Sequence, residues 1–321
     1  MENNIETLDI RKELEKIKNE ISKVIVGHDS ALTGLMIGLL IDGHILLEGV
    51  PGVAKTLLAK SLAKTLNLDF KRIQFTPDLM PSDITGSQIY DANIKDFTMK
   101  KGPIFTNILL ADEINRTPAK TQAALLEAME ERQVSVNGQT FHMPNPFMVI
   151  ATQNPIEYEG TYTLPEAQLD RFSMKITMKL PSKKNEIQIL TRHDKTFVNQ
   201  NLEHSINKIA NTQTILEARN QMNTVKISID LLGYITDIVQ ATRENPNVLL
   251  GASPRGSITL LKASKAWAWL NGRNYVTPDD IKTMANPTLK HRIKLQPEAE
   301  LEGLTADTIV NMIVNNITVP R

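Results

Sequence analysis

The sequence predicts an α/β protein in which a parallel sheet is covered by helices and is followed by a smaller, all-helical domain. Apolar strands alternate with amphipathic helices up to Pro181, as in "HILLEG", "NILLADEI" and "FMVIATQ". This alternation is typical of parallel sheets with helices on both faces. Beyond Pro181, helical stripes replace the strands. The 321 residues, 41% of them hydrophobic, are enough for two domains, which we place at residues 1–181 and 182–321.

Two helices are predicted to open the fold. In "IRKELEKIKNEISKV", apolar residues recur on one helical face, at Leu14, Ile17, Ile21 and Val24. "VGHDSALTGLMIGLL" carries a second apolar stripe. Within the sheet region we expect a helix from Pro118 to about Val134 and a last strand in "FSMKITMKL".

Two insertions interrupt the strand and helix alternation. One covers residues 84–104, and the other, "VSVNGQTFHM" at residues 134–143, contains Asn137-Gly138, a strong hairpin signal. In the C-terminal region, "SIDLLGYITDIVQATRE" and "SPRGSITLLKASKAWAWLNGR" each begin with a serine. We expect Ser228 and Ser253 to cap the first turns of these two helices.

Composition excludes several classes of function. Thirty-six basic residues balance thirty-six acidic ones, so nucleic acid is not expected as a partner on grounds of global charge. Without cysteine, the chain has no disulfide, thiolate nucleophile or cysteine zinc site. The charged start "MENNIETLDIRKELEKIK" and the absence of a long apolar run indicate no targeting or membrane-spanning segment. A cytoplasmic location is expected.

The stretch "GVPGVAKT" has the form of a phosphate-binding loop, because it joins an apolar strand to a helix through Gly49 and Gly52. Lys55 would reach the β- and γ-phosphates, and Thr56 would bind Mg²⁺. Ala54 replaces the usual glycine, which is tolerable if Ala54 already has helical conformation. The alternative is a surface lysine in an ordinary turn, but a lysine in the first helical turn opposes the helix dipole unless an anion compensates.

A second strand, "ILLADEINR", ends in paired acids. At the carboxyl edge of a parallel sheet, where ligands bind, Asp112 would hold the Mg²⁺ hydration shell and Glu113 would orient the attacking water. A strand that ends in two acids is common in ordinary loops. The phosphate loop upstream favours the functional interpretation, because both elements converge on one site.

Three further polar residues are candidates with weaker signals. Asn154 in "FMVIATQNP" would contact the γ-phosphate or the water, although asparagine is also a common turn residue. Arg171 follows a short helix in "LPEAQLDRF", where a cation also simply favours the helix dipole. Arg255 lies in the first turn after Ser253 and Pro254. No local anion is evident there, so a facing phosphate would explain this cation.

Together, "GVPGVAKT", "LLADEINR", "ATQNP", "TYTLPEAQLDRF" and "SPRG" resemble, in this order, the MoxR family of AAA+ ATPases over nearly the whole chain. The implied fold is a P-loop AAA+ core with a helical lid. The resemblance implies Glu113, Asn154 (sensor 1), Arg171 (arginine finger) and Arg255 (sensor 2) as catalytic residues, and Thr56 and Asp112 as Mg²⁺ ligands. It implies ATP binding by Gly27, Gly49, Val50, Pro51, Gly52, Val53, Ala54, Lys55, Thr56 and Leu57.

The resemblance also implies a hexameric ring with ATP at the subunit interfaces. Such rings remodel or activate proteins beside partners that contain von Willebrand factor A domains, through which this chain would lie at the inner membrane periphery. The 84–104 insertion resembles a helix-2 insert that faces a central pore. Its residues Lys95, Phe97, Lys100 and Lys101 would touch a client or form a solvated basic loop.

Three other functions remain open at this point. One is a motor subunit similar to magnesium chelatase, and another is a regulatory module that holds ATP with little turnover. A DNA motor or restriction NTPase is disfavoured by the neutral charge and by the lack of a helix-turn-helix or zinc module.

Overall fold

The computed structural model describes residues 2–93, 95–155, 162–196 and 206–320. Ile94 of the first insertion and Thr161, which begins "TYTLPEAQLDRF", lie outside these ranges. The strands are β1 (Ile45–Glu48), β2 (Phe70–Gln74), β3 (Gly86–Asp91), β4 (Asp96–Lys101), β5 (Ile108–Asp112), β6 (Gln133–Val136), β7 (Gln139–His142), β8 (Met148–Gln153), β9 (Met174–Thr177), β10 (Val248–Leu250) and β11 (Lys294–Leu295).

The helices surround the strands and form most of the C-terminal part. They are α1 (Glu2–Ser22), α2 (Asp29–Leu40), α3 (Lys55–Thr65), α4 (Pro81–Thr85), α5 (Ala119–Glu131), α6 (Glu166–Leu169), α7 (Lys183–Thr196), α8 (Thr212–Asn223), α9 (Ile229–Glu244), α10 (Pro254–Leu270), α11 (Pro278–Leu289), α12 (Pro297–Leu301) and α13 (Ala306–Asn316). Among the residues described, no helix combines the length and apolarity needed to cross a membrane.

The central sheet confirms the predicted parallel architecture. Its five strands lie in the order β2-β5-β8-β1-β9, and every pairing is parallel. In β5, Ile108 and Leu110 join one buried cluster while Leu109 and Ala111 join the other. Since successive side chains of a strand point to opposite faces, both faces of the sheet are covered.

The opening helices are also confirmed. Leu14, Ile17 and Ile21 of α1 are buried, and α1 packs against α3 and α8. The helix expected from Pro118 to Val134 is shorter, because Arg132 takes a left-handed backbone conformation that ends α5 at Glu131. Val134 belongs to β6 instead.

Both insertions are antiparallel hairpins. Strands β3 and β4 pair within residues 84–104, and β6 pairs with β7. Asn137 and Gly138 have φ values of 48° and 80°, and two successive positive φ angles are what a type I′ hairpin turn requires. The hairpin prediction at residues 134–143 is therefore confirmed.

The C-terminal region is mainly helical, but the expectation of a purely helical domain is wrong in one detail. Strand β10 pairs with β11 in a short antiparallel sheet. Val248 and Leu295, one from each strand, are buried in the helical core. Two short segments between helices thus satisfy their backbone groups by pairing, and each contributes one apolar side chain to the core.

Candidate active site

The loop between β1 and α3 has the backbone geometry of a phosphate-binding loop. A Cβ added to Gly49 would lie 2.7 Å from the carbonyl oxygen of Met178, so this close approach requires glycine. Gly52 has a φ of 84°, and a Cβ there would meet nothing within 4 Å. Val53 is buried and Val50 packs against the core, which anchors the loop while Gly52 faces open space.

Lys55 begins α3 directly after this loop. Its Nζ donates a hydrogen bond to the carbonyl oxygen of Gly49 at 2.7 Å. Residue Ala54, at the N-cap, has no side-chain acceptor for the first amide groups of α3. An uncapped helix start with nearby lysine fits a bound polyphosphate, since exposed N–H groups and the helix dipole both favour an anion.

The expected helical conformation of Ala54 is wrong. Its φ and ψ are 61° and 26°, which lie in the left-handed region. The glycine of the usual pattern has a physical reason at this position, because alanine in this region costs on the order of 1 kcal/mol. The loop geometry is kept despite that cost.

The paired acids end β5 at the same edge of the sheet. Asp112 is buried, and its Oδ1 accepts a hydrogen bond from Thr152 Oγ1 at 2.6 Å. The same hydroxyl accepts the backbone N–H of Glu113 at 2.8 Å. Thr152 of β8 thereby fixes both acids relative to the neighbouring strand.

Two residues of β2 contact the acids and were missed in the sequence. Arg72 donates to Asp112 Oδ2 from Nε at 3.0 Å and from Nη2 at 2.7 Å. Gln74 Nε2 donates to Glu113 Oε2 at 2.7 Å and its own oxygen accepts from Arg72 at 2.7 Å. The available signal was the spacing of two in "FKRIQFT", which places both polar side chains on one face of a strand.

Asn154 completes this edge. It follows β8 and is buried. Glu48 at the end of β1 pairs in register with Gln153, and Ala111 pairs with Ala151. Because β5, β8 and β1 are parallel neighbours, the loop with Lys55, the two acids and Asn154 all follow strand ends at one edge of the sheet.

Gly27 lies just before α2, in the segment expected near the adenine. It has a φ of 81°, and a Cβ there would lie 2.3 Å from Nδ2 of Asn185 on α7. The positive φ is what favours glycine here, because the Asn185 amide is the end of a flexible side chain. Its predicted contact with the nucleotide stays a prediction.

The residues present fit Mg²⁺ bound together with ATP. Within the described ranges, no group of three or more His, Cys, Asp or Glu residues could hold a metal by itself. Mg²⁺ is usually bound by one or two protein oxygens, substrate phosphates and water. The Thr56 hydroxyl and the Asp112 carboxylate provide that kind of donor set.

The two predicted arginines lie together, but at the other edge of the sheet. Arg171 and Arg255 line one groove of about 280 Å³ with His44 and Arg132. His44 immediately precedes β1, and Lys55 lies beyond its far end. At about 3.3 Å per residue, the four residues of β1 separate the two edges by on the order of 13 Å.

The expectation that Arg255 lacks a local anion is wrong. Its guanidinium forms an ion pair with Glu130 of α5. Among the residues that the structure describes, the Arg171 side chain has neither an ion pair nor a hydrogen bond. The sequence missed Glu130 because it lies 125 residues away in the chain.

The two predicted serine caps have different outcomes. Ser228 accepts a hydrogen bond from the Leu231 amide and caps α9, as expected. Ser253 makes no side-chain cap for α10. Its hydroxyl donates instead to Asp170 Oδ2 at 3.0 Å.

The fold and site define a P-loop ATPase of the AAA class. The ATPase family associated with various cellular activities matches residues 44–174, and the AAA lid domain matches residues 240–313. The chain is 41% identical to Chaperone MoxR1 of Mycobacterium tuberculosis over 96% of its own length and 82% of that protein. It belongs to the MoxR family of AAA+ ATPases.

Two further comparisons cover almost the whole chain. The protein YeaC of Bacillus subtilis is 50% identical over 97% of this chain and 96% of its own length. A crystal structure of a protein from Cytophaga hutchinsonii has a TM-score of 0.92 and 45% identity, and it covers 100% of this chain and 98% of the other. The mixed α/β fold with its lid is therefore shared along the full length.

Proposed function

We propose that this protein hydrolyses ATP with Mg²⁺ and uses the energy to remodel or activate a partner protein. The observation that carries the proposal is the convergence of the Lys55 loop, Asp112, Glu113 and Asn154 at one edge of the sheet. A module that only stores ATP has no need for a carboxylate and an amide positioned beside the phosphate loop. The boundary between the two domains is proposed at residue 181.

Each residue at this edge has a distinct role in the proposal. The loop amides and the Lys55 ammonium hold the phosphates, as the open helix start favours. Thr56 and Asp112 hold Mg²⁺, which neutralises charge on the phosphate oxygens. Glu113 accepts a hydrogen bond from the attacking water and orients it, and Asn154 holds the water or the γ-phosphate from the next strand.

Hydrolysis also needs a cation near the γ-phosphate as negative charge develops there. Arg171 and Arg255 are the candidates, and both lie at the opposite edge of the sheet from Lys55. Neither can reach the phosphates of its own subunit from there. We therefore propose that both act in trans, on ATP bound by a neighbouring subunit.

Trans action implies an oligomer in which one subunit's arginine groove meets the next subunit's phosphate loop. Such a head-to-tail contact closes into a ring when the rotation permits, and we propose a hexamer. Client remodelling is supported by the chaperone name of the Mycobacterium tuberculosis relative. We also propose a partner that contains a von Willebrand factor A domain. This protein would be cytoplasmic and would lie at the periphery of the inner membrane through that partner.

The proposal is tested by steady-state phosphate release over a range of protein concentrations, with light scattering as the measure of assembly. Specific activity should rise with concentration in step with assembly, because an arginine supplied in trans is typically worth about 10³ to 10⁵ in rate. ATP that binds without phosphate release at any concentration would instead support a regulatory ATP-binding module.

A further inference from the structure

A run of basic residues in the C-terminal domain lies along the segment that carries Arg171. We call residues 290–294 the basic strip and residues 166–177 the finger segment. Both His291 Nε2 and Arg292 Nη2 donate to the carbonyl oxygen of Phe172, at 2.9 and 2.7 Å. Arg292 also forms an ion pair with Asp170. The residues on either side of Arg171 are thus both held by the lid.

The ends of the finger segment are held by the same strip. Lys290 Nζ donates to Thr177 Oγ1 at 2.8 Å. Lys294 Nζ pairs with Glu166 Oε1 at 2.6 Å. The contact therefore extends over the whole finger segment, from α6 to β9, and fixes its position against the lid.

Arg292 is well suited to a fixed contact rather than a loose surface ion pair. Its side chain is 2% exposed, and its Nε donates to the Thr288 carbonyl at 2.8 Å. Burial lowers the pKa of Arg292 to about 10, and Asp170 opposes the shift, so the guanidinium stays charged at neutral pH. Removal of one partner of a buried ion pair strongly destabilises the other charge, so the buried position of Arg292 depends on Asp170.

Asp170 connects the two predicted catalytic arginines. It directly precedes Arg171 in the chain, and its Oδ2 accepts the hydroxyl of Ser253 at 3.0 Å. Ser253 lies two residues before Arg255, at the start of α10. One carboxylate therefore joins the backbone of the finger segment to the helix start that carries Arg255.

We propose that Asp170 and Arg292 are positioning residues that hold Arg171 and Arg255 as one unit, which the lid presents to the neighbouring subunit's ATP. The inference rests on the proposed function. It adds that a movement of the lid moves both arginines together. The position of Arg171 is then determined by the lid of its own subunit. Loss of this contact leaves the ATP site of that same subunit unaffected.

The direct test is Asp170→Asn, which keeps the side chain's shape and removes its charge. ATP affinity should stay at the wild-type value, because Lys55 and its loop are at the other edge of the sheet. Phosphate release at full assembly should fall by about 10- to 100-fold, as expected for a misplaced catalytic group. A fall in ATP affinity with unchanged turnover would overturn the inference.

Mixed assemblies locate the defect in one partner of the interface. Lys55→Ala subunits lack an ATP site but offer an intact finger, so they should restore turnover to Asp170→Asn subunits. Arg171→Ala subunits lack a finger, so mixing them with Asp170→Asn should restore nothing. If Asp170 instead supported its own subunit's ATP site, the two mixtures would give the opposite pattern.

Three further variants separate a positioning defect from a general loss of stability. Asp280→Asn removes a lid carboxylate that is 2% exposed and paired with Arg273, away from the finger segment, and should lower stability without creating a finger defect. If Asp170→Asn does not fold, Ser253→Ala removes one hydrogen bond to the Asp170 carboxylate, leaves its ion pair with Arg292 in place, and should give a smaller defect with the same mixing pattern. Wild-type turnover in Ser253→Ala together with wild-type turnover in Arg292→Lys would overturn the inference.

The outcomes separate this inference from the proposed function. If Lys55→Ala and Arg171→Ala subunits co-assemble and remain inactive, the trans mechanism itself fails. If that mixture is active while Lys55→Ala does not rescue Asp170→Asn, only the positioning role of Asp170 and Arg292 fails.

Discussion

Lys55 is folded back onto its own loop, where its Nζ donates to the Gly49 carbonyl oxygen at 2.7 Å. The ammonium group is thereby held against the loop backbone, at the start of α3. A phosphate that enters this loop meets a cation already in place.

Lys55→Ala should abolish ATP binding, because the loop loses the cation that neutralises the β- and γ-phosphates. Lys60→Ala is the matched control, since Lys60 is an exposed lysine on the same helix. Equilibrium binding of a fluorescent ATP analogue measures both variants. Wild-type affinity in the Lys55→Ala protein would contradict the site assignment.

Ala54→Gly should stabilise the protein by about 0.5 to 1 kcal/mol, because glycine adopts the left-handed conformation of residue 54 without steric cost. Ala59→Gly, in the right-handed interior of α3, should instead destabilise it by at least about 1 kcal/mol, because it also removes a buried methyl group. Urea unfolding measures both changes. Destabilisation by Ala54→Gly of the same size as Ala59→Gly would refute the strain argument.

Glu113→Gln should bind ATP but hydrolyse it at least about 100-fold more slowly, because an amide is a poor acceptor for the proton of the attacking water. The side chain keeps an oxygen for the contacts with Gln74 and Arg116. Single-turnover hydrolysis of bound ATP is the measurement, and Glu127→Gln on the exposed face of α5 is the control. Normal turnover would count against the role of Glu113.

His44 should make the protein less stable in mild acid. Its Nε2 donates to the Met129 carbonyl at 3.1 Å and its Nδ1 accepts the Val149 amide at 2.9 Å, so the neutral ring is fully bonded. Burial, with a smaller contribution from Arg132, lowers its pKa to about 3. An added proton on Nδ1 would face a donor.

The direction of the pH effect follows from the difference in the His44 pKa between the unfolded and the folded protein. Unfolded histidine has a pKa of about 6.5, so between that value and the folded pKa of about 3 the unfolded state binds the extra proton. Stability is therefore lost as pH falls through 6.5, by about 2 kcal/mol at pH 5 relative to pH 7. Urea unfolding at both pH values should show a smaller loss in His44→Gln, and equal losses would contradict this account.

The sheet and the phosphate loop were predictable because their signals are local. Three apolar residues, "ILL", a glycine loop and an amphipathic helix follow one another within about twenty residues. The hairpin at Asn137-Gly138 is similarly encoded by two adjacent residues. The sheet and the hairpin turn are thus encoded by neighbours in the chain, whereas the left-handed backbone of Ala54 within the loop is not.

The partners of the site residues were not predictable, because they are distant in the chain. Arg72 lies 40 residues from Asp112, and Arg292 lies 122 residues from Asp170. Contacts between such distant residues leave no signal in the local pattern. The prediction for Ala54 failed for a different reason: residue 54 takes the left-handed conformation, against alanine's own preference.

Arg171 is proposed to act on ATP held by a neighbouring subunit. The most decisive measurement is the rate of phosphate release by a mixture of Lys55→Ala and Arg171→Ala subunits, with co-assembly verified by co-purification of one variant with the other, affinity-tagged variant. Each variant should be inactive alone. The mixture should recover turnover, because some interfaces pair an intact ATP site with an intact Arg171. A co-assembled mixture as inactive as its components would contradict the claim and leave Arg171 as a cation that only favours the dipole of α6.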